Sequence, residues 1–141
     1  MMKQVGPQAV VNVAKKMGIT SDIPAYPSIC LGTADVSLYE MVGAYSTYAN
    51  KGVWTEPVYI SRIEDKNGNV LYEKIPRKVD ALSEQTAYLM LYMLRGVVDK
   101  GTGLRLRGPR YRFINPIAGK TGTTQENSDG WFIGITPDLV S

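Results

Sequence analysis

Lys120-Thr121-Gly122-Thr123 holds the residues of this chain best suited to chemistry. On a strand at a sheet edge, the Lys120 cation favours an anionic substrate group. Thr121 and Thr123 then present two hydroxyl donors on one face, because strand side chains alternate with period two. Gly122 between them clears the edge, so that a substrate backbone can come close.

These residues admit two other readings. Gly119-Lys120-Thr121 has the form of the tail of a phosphate-binding loop, which needs a glycine five residues before its Gly-Lys pair. Ile114 stands there, and Gly122-Thr123-Thr124 is a poor start for the helix that should follow. The phosphate-loop reading is therefore rejected. The remaining alternative is a polar turn in which Lys-Thr-Gly occurs by chance, and the flanking residues decide between it and a site.

The chain has 141 residues, 44% of them hydrophobic, which suits a single domain with a core. A net charge of +3 is mild and demands no nucleic-acid partner. There is no histidine, so Ser-His-Asp, Cys-His and histidine-based metal chemistry are excluded together. Any nucleophilic step must use lysine, tyrosine or a carboxylate as base. Cys30 is the single cysteine, and Ile29 and Leu31 beside it predict a small buried side chain. No stretch has the length of a membrane-spanning helix, and the first residues lack the apolar run of a signal peptide.

The elements that position the site follow from spacing and punctuation. Pro7 to Met17 predicts a helix with Val10, Val13, Ala14 and Met17 on one face and Gly18 as its stop. Ser37-Leu38-Tyr39-Glu40 is a capping box, opening a helix with Leu38, Met41, Val42 and Tyr45 at helical spacing and ending at Gly52. Strands over Tyr59–Ile63 and Val70–Tyr72 flank Asn67-Gly68, the signature of a β-hairpin. Ser83 starts a second long helix striped by Ala87, Leu91, Leu94 and Val98 and stopped by Gly101. The segment from Gly101 to Arg112 reads as a basic loop: a solvated surface, or an electropositive wall beside an anionic group. A strand over 113–124 carries Lys-Thr-Gly, and a second spans 130–136. After the Pro137-Asp138 turn, Leu139-Val140-Ser141 predicts the start of another strand.

With these flanks in place the chain resembles the transpeptidase domain of penicillin-binding proteins, most closely the class A bifunctional ones. The matching stretches are Leu31-Gly32-Thr33, Val36-Ser37-Leu38-Tyr39-Glu40-Met41 and Ala44-Tyr45-Ser46-Thr47-Tyr48-Ala49-Asn50-Lys51-Gly52. They continue with Gly101-Thr102-Gly103, Ala118-Gly119-Lys120-Thr121-Gly122-Thr123-Thr124, Ser128-Asp129-Gly130-Trp131-Phe132-Ile133-Gly134 and Thr136-Pro137. They run in the family's order with similar spacing over nearly the whole chain.

The resemblance implies an α+β fold of the serine transpeptidase and β-lactamase kind: an antiparallel sheet packed with helices, incomplete in this chain. It implies acyl transfer, in which a serine attacks the D-alanyl-D-alanine of a peptidoglycan stem peptide and an amine of a neighbouring peptide takes the acyl group. β-Lactams would trap that serine. Lys120 would be catalytic, with Thr121, Gly122 and Thr123 binding substrate and the Thr123 backbone N–H serving as an oxyanion donor. Gly101-Thr102-Gly103 would border the site. The resemblance implies no cofactor, a membrane-anchored parent at the extracytoplasmic face of a bacterial cytoplasmic membrane, and stem peptides and β-lactams as its ligands. Unpaired edges of a partial sheet favour self-association.

One departure is large. No serine in the chain has a lysine three residues on or an asparagine two residues on. The expectation is a C-terminal part of a transpeptidase domain, residues 1–141, inert by itself. A non-catalytic module that binds a peptide or protein partner is the competing class, and a β-lactamase-like hydrolase is a third.

Overall fold

The computed structural model of the protein describes residues 2–123 and 130–141. Among the described residues four α-helices and six short strands follow one another: α1 Met2–Val5, α2 Pro7–Lys16, α3 Leu38–Ala49, β1 Val53–Thr55, β2 Arg62–Glu64, β3 Val70–Glu73, β4 Lys78–Asp80, α4 Glu84–Asp99, β5 Ala118–Thr123 and β6 Gly130–Ile135. Among the described residues the strands form three separate two-stranded antiparallel ladders, β1 with β4, β2 with β3 and β5 with β6. This is the mixed helix and antiparallel-sheet architecture expected.

Helices α3 and α4 begin where their serine caps place them. Ser37 accepts from the Glu40 backbone N–H, and the Glu40 carboxylate accepts from the Ser37 N–H at 3.0 Å, which completes the capping box of α3. The same carboxylate accepts from the Thr20 N–H and hydroxyl and from the Ser21 N–H and hydroxyl at 2.6–2.8 Å. Glu40 therefore pins the loop after α2 onto the start of α3, and its side chain is buried. The hydroxyls of Ser21 and Thr20, then the backbone N–H groups of Ser37 and Ser21, hold its carboxyl well below the usual carboxylate range. A carboxyl depressed in the folded state stabilises it fully above the ordinary carboxylate pKa and less as pH falls. Glu40→Gln is expected to lower the thermal midpoint at neutral pH and to flatten its fall in acid; a parallel acid limb in both proteins would refute this.

Two cores result. One gathers Val11, Met17, Ile19, Ile23, Ala44, Trp54 and Ala81. The second joins Leu94 of α4 to Ala118 and Ile135, partners across β5 and β6, with Tyr45, Tyr48 and Leu91 packed against them. Thus α4 packs on β5 and α3 on β6, and the α4 stripe turns inward through Ala87, Leu94 and Val98 as its spacing predicts.

Thr47 is fully buried, and its hydroxyl has no hydrogen-bond partner among the described residues. A buried hydroxyl without a partner costs about 1–3 kcal/mol of desolvation. Thr47→Val, which replaces that hydroxyl with a methyl of similar shape, is expected to raise stability by roughly 1 kcal/mol in a urea titration. A loss of stability would show that the hydroxyl is satisfied in solution.

Several expectations are corrected. Helix α2 buries Val11 with Met17, while Val13 is exposed, so its inward face is rotated from the one the valines suggest. Cys30 is exposed, because Pro27–Leu31 forms a 3-10 turn at the surface in which its thiol donates to the Pro27 carbonyl. The first hairpin strand begins at Arg62 rather than Tyr59, and the pairing with β3 slips between Ile63 and Glu64. All residues of β2 and β3 are exposed, as befits a projection, and Asp65 organises its tip by accepting from the N–H groups of Asn67 and Asn69.

Candidate active site

The site strand is shorter than the sequence suggests. β5 runs over Ala118–Thr123 instead of from residue 113, and Thr124 lies outside the described residues. The approach is held differently. Arg107 donates to the carbonyls of Phe113 and Asn115 at 2.7 and 2.8 Å and pairs with Asp99 at 2.8 Å. Arg112 adopts a positive φ of 46°, and Pro116 has no N–H to give a ladder. Arg107 is thus a strut between α4 and the chain entering β5, while the other arginines of the segment, Arg105, Arg110 and Arg112, are exposed.

β5 pairs with β6 in register from Ala118↔Ile135 to Thr123↔Gly130. Among the described residues its other edge has no strand partner. The strand therefore offers its backbone along one side, the arrangement the Lys-Thr-Gly reading requires. The sequence keeps β5 and β6 close through glycine: a Cβ on Gly119 would lie 2.5 Å from the Phe132 ring and 2.7 Å from the Ile133 carbonyl oxygen. Gly122 stands opposite Trp131, and a Cβ there would meet the Trp131 Cβ at 3.3 Å. Gly122 thus clears space toward the neighbouring strand as well as along the edge.

Lys120 and Gly122 continue the face that Ala118 turns toward α4, while Thr121 and Thr123 take the opposite face with Gly119. Lys120 is exposed, and its Nζ donates to the Thr121 carbonyl at 2.6 Å. The ammonium thus lies beside the strand backbone, at the Thr121 carbonyl. Thr123 is exposed and Thr121 half-buried.

One residue whose role the sequence left open joins this group. Oγ1 of Thr102 lies 2.7 Å from Oγ1 of Thr121. Thr102 follows α4 within Gly101-Thr102-Gly103, a triplet the sequence flags without giving it a task. Its signal was the pair of glycines, which predict tight backbone packing at the centre residue.

Trp131 is exposed, with 58% of its surface accessible, although its place in an apolar run suggests burial. The buried tryptophan is Trp54, which packs over Gly18 and beneath the Arg77 guanidinium. The stability cost of 3–5 kcal/mol expected of a buried ring on truncation therefore does not apply to Trp131. Ser128 and Asp129, matched in the sequence, lie outside the described residues.

The comparisons with known proteins agree with this frame. The family model of the penicillin-binding-protein transpeptidase domain matches residues 8–139. Penicillin-binding protein 1A of Aquifex aeolicus is 36% identical over 141 residues, covering 100% of this chain and 19% of that protein. Penicillin-binding protein 2D of Bacillus subtilis is 38% identical, covering 97% of this chain and 20% of its own length. Among solved structures, PonA1 of Mycobacterium tuberculosis superposes with a TM-score of 0.77 at 27% identity, over 97% of this chain and 40% of that one. Penicillin-binding protein 1A of Haemophilus influenzae superposes with a TM-score of 0.79 at 22% identity, over 94% of this chain and 25% of that one. The chain belongs to the penicillin-binding-protein transpeptidase domain family. It spans about a fifth of the length of the curated relatives it matches.

Proposed function

We propose that this chain forms the Lys-Thr-Gly wall of a serine D,D-transpeptidase that cross-links peptidoglycan stem peptides. The observation that carries this reading is the edge of β5 that has no strand partner among the described residues, on a strand that presents Lys120, Thr121 and Thr123 around Gly122. The stem peptide would lie along that edge as an added strand, with its terminal carboxylate toward the threonine hydroxyls and Lys120. The nucleophilic serine and its lysine base would come from sequence beyond these 141 residues. That serine attacks the penultimate carbonyl, the C–N bond to the terminal D-alanine breaks, and D-alanine leaves as the amine. The Thr123 N–H would stabilise the oxyanion. An amine of a second stem peptide then attacks the ester and releases the serine, which forms the cross-link.

β-Lactams are proposed as the inhibitors of the same site. A protein of the same fold, PonA1, is known in complex with penicillin V. The reaction is placed at the extracytoplasmic face of the bacterial membrane, where stem peptides are found. No helix among the described residues is long and apolar enough to cross a membrane.

The test is covalent labelling of the full-length protein by a tagged penicillin. A stable adduct is expected. Folded protein that stays unlabelled would favour the binding module, and fast release of hydrolysed lactam would favour a hydrolase.

A further inference from the structure

We propose that Thr102 is a positioning residue that fixes the Thr121 hydroxyl as a donor toward the substrate carboxylate. This inference rests on the transpeptidase reading above. The two Oγ1 atoms are 2.7 Å apart, the usual separation of a hydroxyl–hydroxyl hydrogen bond. One hydrogen lies between them, and each hydroxyl has only one to give. If Thr121 donates to Thr102, it has no proton left for an anionic group. If Thr102 donates, the Thr121 O–H is free to point at the ligand. A carboxylate at the β5 edge selects the second arrangement, and the chain from Thr102 through Thr121 to the anion is polarised in one direction.

The backbone holds Thr102 in place for this task. The N–H groups of Gly101 and Gly103 both donate to the Val97 carbonyl of α4, at 3.2 and 2.9 Å, and the Leu104 N–H donates to the Gly101 carbonyl at 3.1 Å. Gly103 is buried, and a Cβ there would come within 3.3 Å of the Val98 Cα, on a residue with no exposed surface. Thr102 thus sits on a corner anchored at the α4 C-terminus, which is itself packed on β5. Thr102 is itself exposed. An exposed hydrogen bond between neutral groups adds little to stability, so the pair's use lies with what binds beside it.

The experiment compares acylation of the full-length protein by a penicillin bearing a free carboxylate and by its methyl ester. Thr102→Val is expected to lower the second-order rate about tenfold for the acid, the size of one hydrogen bond to a charged group. The ester rate should change by less than about twofold, since that ligand carries no anion for the hydroxyl chain to meet. The thermal midpoint should hold, and Thr102→Ser should restore the acid rate. Equal losses for acid and ester, or no loss for either, overturn the proposal. Thr102→Ala carries the same test if the valine protein does not fold. Wild-type protein acylated by neither compound would overturn the transpeptidase reading, and this inference with it.

Discussion

Lys120→Ala is expected to slow acylation of the full-length protein by a tagged penicillin by ~100-fold or more, the usual worth of one positioned catalytic group. The lysine lies on β5, whose second edge has no strand partner among the described residues, and its ammonium is held beside the Thr121 carbonyl at 2.6 Å. There its charge lies on the strand where an anionic ligand and a developing oxyanion would sit. Stability should change little, because Lys120 is exposed and makes no ion pair among the described residues. Loss of rate with the thermal midpoint retained would therefore report chemistry rather than folding. Lys120→Arg separates two roles. Arginine keeps the charge but holds its protons at all working pH values and forms a planar fork instead of a point charge. If the field alone matters, arginine should recover much of the rate; if the lysine also passes protons, arginine should remain near the alanine variant. An unchanged rate in the alanine variant would remove Lys120 from the mechanism.

What was legible in the sequence was what short-range physics sets. The capping box at Ser37 and Glu40 and the cap at Ser83 mark helix starts through hydrogen bonds within one turn. Asn67-Gly68 marks the hairpin because Gly68 adopts a φ of +84°. The site strand was legible through Lys-Thr-Gly and its flanks, although not its beginning. β1 and β4 gave no signal, since each is three residues long and their partners, such as Val53 and Asp80, lie far apart in the chain. Burial was least legible where neighbours outside the local sequence decide it. Trp54 is covered by Gly18 and Arg77, and Trp131 is not covered. Arg107 looked like one of four surface cations until its partners Asp99, Phe113 and Asn115 were in place. The hydroxyl pair of Thr102 and Thr121 joins residues 19 apart, and only the packing of α4 on β5 brings them together.

Gly52→Ala should be among the most damaging single substitutions in the scaffold behind that site. Gly52 has a φ of +92°, where an alanine is strained by about 1–3 kcal/mol. An added Cβ would also lie 2.3 Å from the Leu82 carbonyl oxygen and 3.2 Å from that of Ser83. Neither neighbour can swing away as a flexible side chain can. The Gly52 carbonyl accepts from the N–H groups of both Ala81 and Leu82 at 3.0 Å, and its own N–H donates to the Thr47 carbonyl at 2.8 Å. Relieving the clash therefore moves the end of α3 away from β4, or moves Ser83, the cap of α4. Strain and overpacking together are expected to cost about 3 kcal/mol or more, read as a lower urea midpoint with an unchanged slope. Gly68→Ala is the control. It shares the positive φ, at +84°, but its added Cβ meets open space. The excess loss at Gly52 over Gly68 isolates the backbone contact. Equal losses would mean that the turn relaxes and that the α3–β4 junction does not depend on close approach at Gly52.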